Sequence, residues 1–439
     1  MSNCSRGVGS ALRARLGVEA FEDRLVPSSS RLGDSPGSAA AAVVYVESNN
    51  PEPGQNAVLA YRRNPANGSL RQIGTFATGG TGQLNVPKLV GPDDGDQQVQ
   101  ATADGRFLYA VNQGSGTITA FRIRPNGRLD RIGVFASGGV QPDSIGIAGN
   151  HLYVGNRGDA AAGVAGTAAP NVTGFTINRD GSLTAISNST VSFPVGTFVT
   201  QTLISRDGRF LFAEAATLEG THGGNTVTPF RINADGTLTA APGGPAGAGT
   251  NAPILLGSAQ HPKLNIIYTG FASSSQVGVF TFDDTGRTTF VDQSPDQGAA
   301  PCWCVVSADG QRLYVANTGT DSVAVYSLAD PLHPVQIQEF ALGGPRALNG
   351  DPGSPRALVF EIALDPTGRF LYAVTQSSDP SFPQGNQLHT LKVGRDGTLT
   401  EPNGPVIFPQ SDVPANAHPQ GVAVVTLGGH GNDDDRSDG

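Results

Sequence analysis

Short runs of alternating apolar and polar residues, punctuated by Asx-Gly turns, occupy the chain from about residue 42 to residue 427. One phrase recurs. A short apolar strand runs into a DG-type turn and a strand centred on Leu-Tyr. An alternating strand ending in an aromatic, a second DG-type turn and a last strand follow. The phrase is clearest over residues 99–136, returns over 202–240, 305–328 and 360–401, and is weaker over 145–185 and 255–291. Its aromatic anchors are Tyr45, Tyr109, Tyr153, Phe212, Tyr268, Tyr314 and Tyr372, at spacings of 44 to 64 residues. Each interval holds four short strands, a to d. Four-stranded units at this period predict the blades of an all-β propeller, and seven anchors predict seven blades.

The ends of the repeat predict how the ring closes. The first unit starts directly at a b strand, residues 42–46, and lacks strand a; one strand, 421–426, is left over at the other end. Pairing the two completes blade 1 and leaves no sheet edge at the seam. The turns separate two faces. The a–b turns (Asp104-Gly105, Asp207-Gly208, Asp309-Gly310) and c–d turns (Asn126-Gly127, Asp235-Gly236, Asp396-Gly397) are short. The b–c and d–a connections are long, for example 77–97, 157–170, 216–224 and 342–356. Binding residues concentrate on long loops held by a rigid frame, so the site is expected at the loop-rich mouth of the central channel.

Composition narrows the classes. Charged residues are 15% of the 439, with a net charge of −9 and Lys only at 88, 263 and 392, so no basic patch for nucleic acid is expected. No apolar run reaches the length of a membrane span. Cys302 and Cys304 in PCWCVV read as small buried strand residues. Residues 1–41 read as a sorting-like segment and linker, residues 42–427 as the propeller, and residues 428–439 as a disordered acidic tail. The acidic stretch with Asp93, Asp94 and Asp96 offers oxygen ligands at a spacing that can hold Ca²⁺, but a solvated turn is the expected reading.

The phrases DGRFLYAVN, LYVANTGTDSVAVY and FRINADGTLT resemble the lactonase family of seven-bladed propellers, which includes bacterial 6-phosphogluconolactonases and fungal muconate cyclases. LYVAN-type segments are also similar to the YVTN repeats of bacterial surface propellers. The run from Val18 to Ser28 resembles a short N-terminal motif found ahead of exported domains in some bacteria, so an exported or cell-surface protein is expected. The lactonase resemblance implies hydrolysis of a sugar-type lactone by a monomer, without metal or cofactor, with a lactone or sugar acid as its small-molecule partner. The alternative is a non-catalytic exported propeller that binds a small molecule or protein at the same face.

Lactone hydrolysis needs a base for water and a cation or donor for the developing oxyanion. Family members carry His, Arg and Glu at strand starts and loops around the channel mouth. Here only His418-Pro419 opens an inner strand with His, and Gln holds several of the other openings. Glu361, opening strand a of blade 7, and His418 are therefore the candidate bases, with Arg157 as oxyanion or carboxylate partner and Glu214 as a further catalytic candidate. Gln98, Asp143, Gln201, Asn317 and Gln376 recur at strand a starts or strand b ends and are expected to form a polar, substrate-binding ring. His389 is expected to pack between blades, and His222 to sit in a loop.

Overall fold

The computed structural model describes residues 41–84, 95–159, 166–217, 225–249, 253–342, 357–377, 379 and 381–427. Most of the N-terminal segment, the acidic tail, and Lys88, Asp93, Asp94, His222, Arg346 and Arg356 lie outside these residues. The strands form seven antiparallel sheets, each running a–b–c–d in order. The a strands are Gln420–Thr426 for blade 1, then Val99–Ala101, Pro142–Ala148, Phe198–Ile204, Leu255–Gln260, Pro301–Val306 and Ala357–Leu364 for blades 2 to 7. Each a strand touches the a strands of both neighbouring blades, which makes an unbroken ring around a central channel. In blades 3 and 7 the outermost strand is split in two, Leu183–Ala185 with Val191–Ser192 and Leu399–Thr400 with Val406–Ile407.

The C-terminal strand closes the ring as expected. Gln420–Thr426 pairs antiparallel with Ala42–Glu47, with Val44 opposite Val424 and Tyr45 opposite Ala423. The seam also holds a buried ion pair. Arg63, ending strand c of blade 1, places Nε 2.9 Å from Asp365 Oδ2 in the a–b turn of blade 7.

All seven anchors are buried, because period-2 alternation sends them into the contacts between blades. Several tie one blade to the next through their hydroxyls. Tyr45 donates to the Gly127 carbonyl (2.9 Å), Tyr109 to Gly181 (3.0 Å), Tyr153 to Gly236 (2.9 Å) and Tyr314 to Gly397 (3.0 Å). Each acceptor lies in the c–d turn of the following blade. Gly127 has φ +78, and a Cβ there would come within 2.5 Å of Val43 Cγ2, so the Asx-Gly pair serves both the turn and the packing. Cys302 and Cys304 are buried free thiols on the blade 6 inner strand.

Candidate active site in the central channel

One segment sets this channel apart from a plain ring. Residues 95–98, just ahead of the short blade 2 inner strand, cross the channel and meet all seven blades. The Gly95 carbonyl accepts from Trp303 Nε1 of blade 6 (2.7 Å) and from Gln98 Nε2 (2.6 Å). Asp96 N–H donates to Thr200 O of blade 4, Ile145 N–H of blade 3 to Gln97 O, and Val111 N–H of blade 2 to Gln98 O. A Cβ on Gly257 of blade 5 would lie 3.2 Å from Asp96 Oδ2, and one on Gly421 of blade 1 would lie 3.1 Å from Gln98 Cβ. Glu361 of blade 7 is hydrogen-bonded to the Asp96 side chain. Gln97 takes φ +70, a left-handed conformation that is strained for a residue with a Cβ.

Asp96 and Glu361 are both buried, and a hydrogen bond between two carboxyl groups needs a proton on one of them. Burial is the main force on each. It pushes Asp96 up to about 7, with the charge of Glu214 adding to the shift. Glu361 is pushed well above the carboxylate range by burial, then by the charges of Asp96 and Asp143. Both groups are thus held above the ordinary carboxylate range by burial, and the pair shares one proton.

Neighbouring side chains hold this pair in place. Gln201 Nε2 donates to Asp96 Oδ2 (2.9 Å) and to Ser258 O (3.0 Å), while its Oε1 accepts from Ser258 N–H (2.5 Å). Ser258 Oγ donates to Glu214 Oε1, which also accepts from Thr269 Oγ1 (2.7 Å). Burial raises the proton affinity of Glu214 as well. Asp143 accepts from Gln113 Nε2, and Gly95 packs against it so closely that a Cβ would clash with the carboxyl group.

The structure brings some of the expected residues together and separates others. Glu361, Gln98, Asp143 and Gln201 converge on the crossing segment, with Glu214 one hydrogen-bonded step away through Ser258. Asn317 instead bridges Asp296 (2.8 Å), in the connection from blade 5, and Glu339 (3.0 Å), in the outer strand of blade 6. Gln376 donates to Pro419 O (3.1 Å) and so anchors the lead-in to the closing strand. His418 lies buried in that lead-in and does not line the described cavity. Arg157 is buried at the blade 3–4 junction, with its guanidinium 4.4 Å from the Phe198 ring centre and Nη1 3.3 Å from Gln141 Oε1; it does not line that cavity either. His389 binds Glu401 within blade 7 (2.9 Å), in keeping with a packing role.

The solvated-turn reading of Asp96 is corrected, because its carboxyl is buried in the channel. Glu47, at the end of the first strand, was not singled out. It is fully buried, accepts from Asn56 Nδ2 (2.5 Å) and Gln420 Nε2 (3.3 Å), and is pushed up to about 8 by burial. A signal for it exists in the repeats. Glu47 and Glu214 both stand two residues after their anchors, where the other blades carry Val111, Gly155, Gly270, Ala316 and Val374.

A cavity of about 740 Å³ lies on one side of the crossing segment, with Asp96, Glu361 and Ser258 at its inner end. Its outer lining comes from Asp104, Arg206, His261 and Pro366, which belong to a–b turns. The described cavity thus opens on the short-turn face, whereas the expected site was the loop-rich mouth. Much of the chain at that mouth lies outside the described residues.

Comparison with known proteins agrees with the ring. The family described as Lactonase, 7-bladed beta-propeller matches residues 54–166 and 248–379, more than half of the chain. No curated protein was found to match the sequence. Among solved structures, the periplasmic gluconolactonase PpgL of Pseudomonas aeruginosa superposes with a TM-score of 0.64 at 21% identity, covering 89% of this chain and 100% of its own. A Bacteroides fragilis protein proposed to be a 6-phosphogluconolactonase superposes with a TM-score of 0.63 at 17% identity, over 89% of this chain and 100% of its own. At these identities the likeness is one of fold.

Proposed function

Because the chain belongs to the lactonase family of seven-bladed β-propellers, we propose that it hydrolyses a lactone in the cavity bounded by Asp96 and Glu361. The hydrogen-bonded acid pair carries this reading. Two carboxyl groups that hold their protons with different strength supply an acid and a base at one point. Near neutral pH Glu361 keeps its proton, while Asp96, at about 7, is ionised in a large share of molecules. Asp96 takes a proton from water as the water oxygen attacks the lactone carbonyl carbon. Glu361 donates to the oxygen that gains charge. As the acyl C–O bond breaks, Asp96 passes the proton it took from water to the ring oxygen, which leaves as a hydroxyl, and Glu361 recovers its own proton from the collapsing intermediate, so one water is consumed, a hydroxy acid is formed and Asp96 is ionised again. The product carboxylate is then repelled by Asp96, which favours release.

Glu361, expected from the sequence as the base, is better suited to be the acid because its proton is held more tightly. Gln201 fixes the Asp96 carboxylate, and Ser258 and Glu214 hold Gln201 through their own hydrogen bonds. A phosphorylated or otherwise anionic substrate fits poorly. Arg206 is the one Arg or Lys among the described lining residues, and its Nη1 is engaged by Pro262 O (2.9 Å). We also propose that the protein acts as a monomer and is exported, as its N-terminal segment suggests; cell fractionation tests the location. No helix among the described residues is long and apolar enough to cross a membrane.

The test is a pH profile of kcat/KM on δ-valerolactone and glucono-δ-lactone. Activity should rise as Asp96 ionises near pH 7 and fall at higher pH as Glu361 loses its proton. Glu361→Gln should lower turnover by about 10²-fold or more and remove the alkaline limb. Full activity in that variant would take Glu361 out of the mechanism.

A further inference from the structure

The walls of the cavity differ in chemistry from its inner end. Between the acid pair and the rim, the lining side chains from the inner strands include Ala101 of blade 2, Ile204 of blade 4, Val306 of blade 6, Leu364 of blade 7 and Val424 of blade 1. Each is only half-buried, so an apolar band faces the channel from most of its circumference. Each packs with part of its side chain against a core between blades and leaves the rest at the cavity wall.

Several polar side chains at the rim are engaged by one another or by backbone groups. Thr102 Oγ1 donates to Asp104 Oδ1 (2.5 Å), Gln260 Oε1 accepts from Arg206 N–H (2.6 Å), and the His261 ring bonds Gly310 O through Nε2 (3.2 Å). This leaves Gln100 and Thr426 as the main polar side chains of the wall among the described lining residues. A lactone bearing several hydroxyls would lose its water there and find few partners, and an unsatisfied buried hydroxyl is unfavourable. An alkyl or aryl substituent would gain by leaving water against the same wall. The volume of about 740 Å³ gives room for such a substituent beyond one lactone ring.

We propose that the preferred substrate is a lactone with an apolar substituent, its ring at the Asp96–Glu361 pair and its chain lying along the Ile204–Val306–Val424 band toward the short-turn face. This rests on the acid pair being the hydrolytic centre.

The experiment compares δ-lactones with alkyl chains of increasing length against glucono-δ-lactone, using the full-length protein. Each added methylene should raise kcat/KM about three- to fourfold until the chain reaches the rim. Val306→Thr, close in shape to the native side chain, should flatten that dependence while the melting temperature stays close to wild type. A flat series with glucono-δ-lactone as the best substrate overturns the substituent but leaves the hydrolytic centre standing. Binding of the matching non-hydrolysable alkyl δ-lactams, followed by calorimetry, separates the remaining case. If no lactone is turned over but lactam affinity climbs with chain length, the apolar band stands and the hydrolytic reading falls. If affinity is also independent of length, the proposal is overturned.

Discussion

Asp365 and Asp96 are both buried carboxylates next to inner strands, but Asp365 faces the guanidinium of Arg63 and Asp96 faces a second carboxyl, Glu361. The first pair sits at the seam between blades 7 and 1. There Asp365 also accepts from Thr367 N–H (2.8 Å), and the Arg63 guanidinium stacks 5.2 Å from the Phe370 ring centre. Charge, hydrogen bonds and packing agree at that place. In blades 2, 4 and 6 the corresponding turn position carries only a hydroxyl, Thr102, Ser205 or Ser307, so the charged pair is particular to the closing junction. At the channel centre, by contrast, two like groups are held together by a crossing segment in a strained conformation. A fold selected for stability alone gains nothing from that arrangement, whereas a hydrolase gains an acid and a base.

The sharpest way to break the comparison is to remove the seam itself. A chain ending at Gln420 loses the strand opposite Ala42–Glu47 and leaves blade 1 unpaired along its inner edge. It should be insoluble or melt without cooperativity in calorimetry; a soluble, cooperatively melting product would refute closure by this strand. Next in size, Asp96→Asn should lower lactone turnover by about 10²–10⁴-fold. Its melting temperature should hold or rise, because the variant removes a carboxyl group whose charged form burial disfavours. Arg63→Ala does the reverse. It leaves Asp365 buried without its cation and should destabilise by about 3–5 kcal/mol in denaturant titrations, with the acid pair untouched. Replacing Arg63 and Asp365 together by apolar residues should recover most of that loss.

The smallest effect expected is on the pH dependence of stability. Asp96 and Glu47 bind protons more tightly when folded, with values near 7 and 8. Their contribution is full below the ordinary carboxylate range and is lost as pH rises through those values. The melting temperature should therefore decline between pH 5 and pH 8, and Glu47→Gln should flatten the upper part of that decline. A melting temperature that rises across this range would contradict the placement of these groups.

The sequence by itself determined the ring. Anchor aromatics, alternation and Asx-Gly turns are local signals that each blade repeats, and strand 420–426 had only one vacant place to go. Glu361, Gln98, Asp143 and Gln201 were legible as channel residues for the same reason: their position in the repeat points them inward. Tertiary structure alone decided what they meet. Residues 95–98 break the repeat, so no periodicity announces that they cross the channel, and Asp96 in a string of acids looks solvated until seven blades surround it. Asn317 and Gln376 stand at strand b ends rather than in or just ahead of strand a, and they bond to Glu339 and to Pro419 O instead of reaching the crossing segment. The proton affinities that distinguish acid from base follow from burial and from charges brought together across the ring by blades 2, 3, 4 and 7, distances that no linear pattern contains.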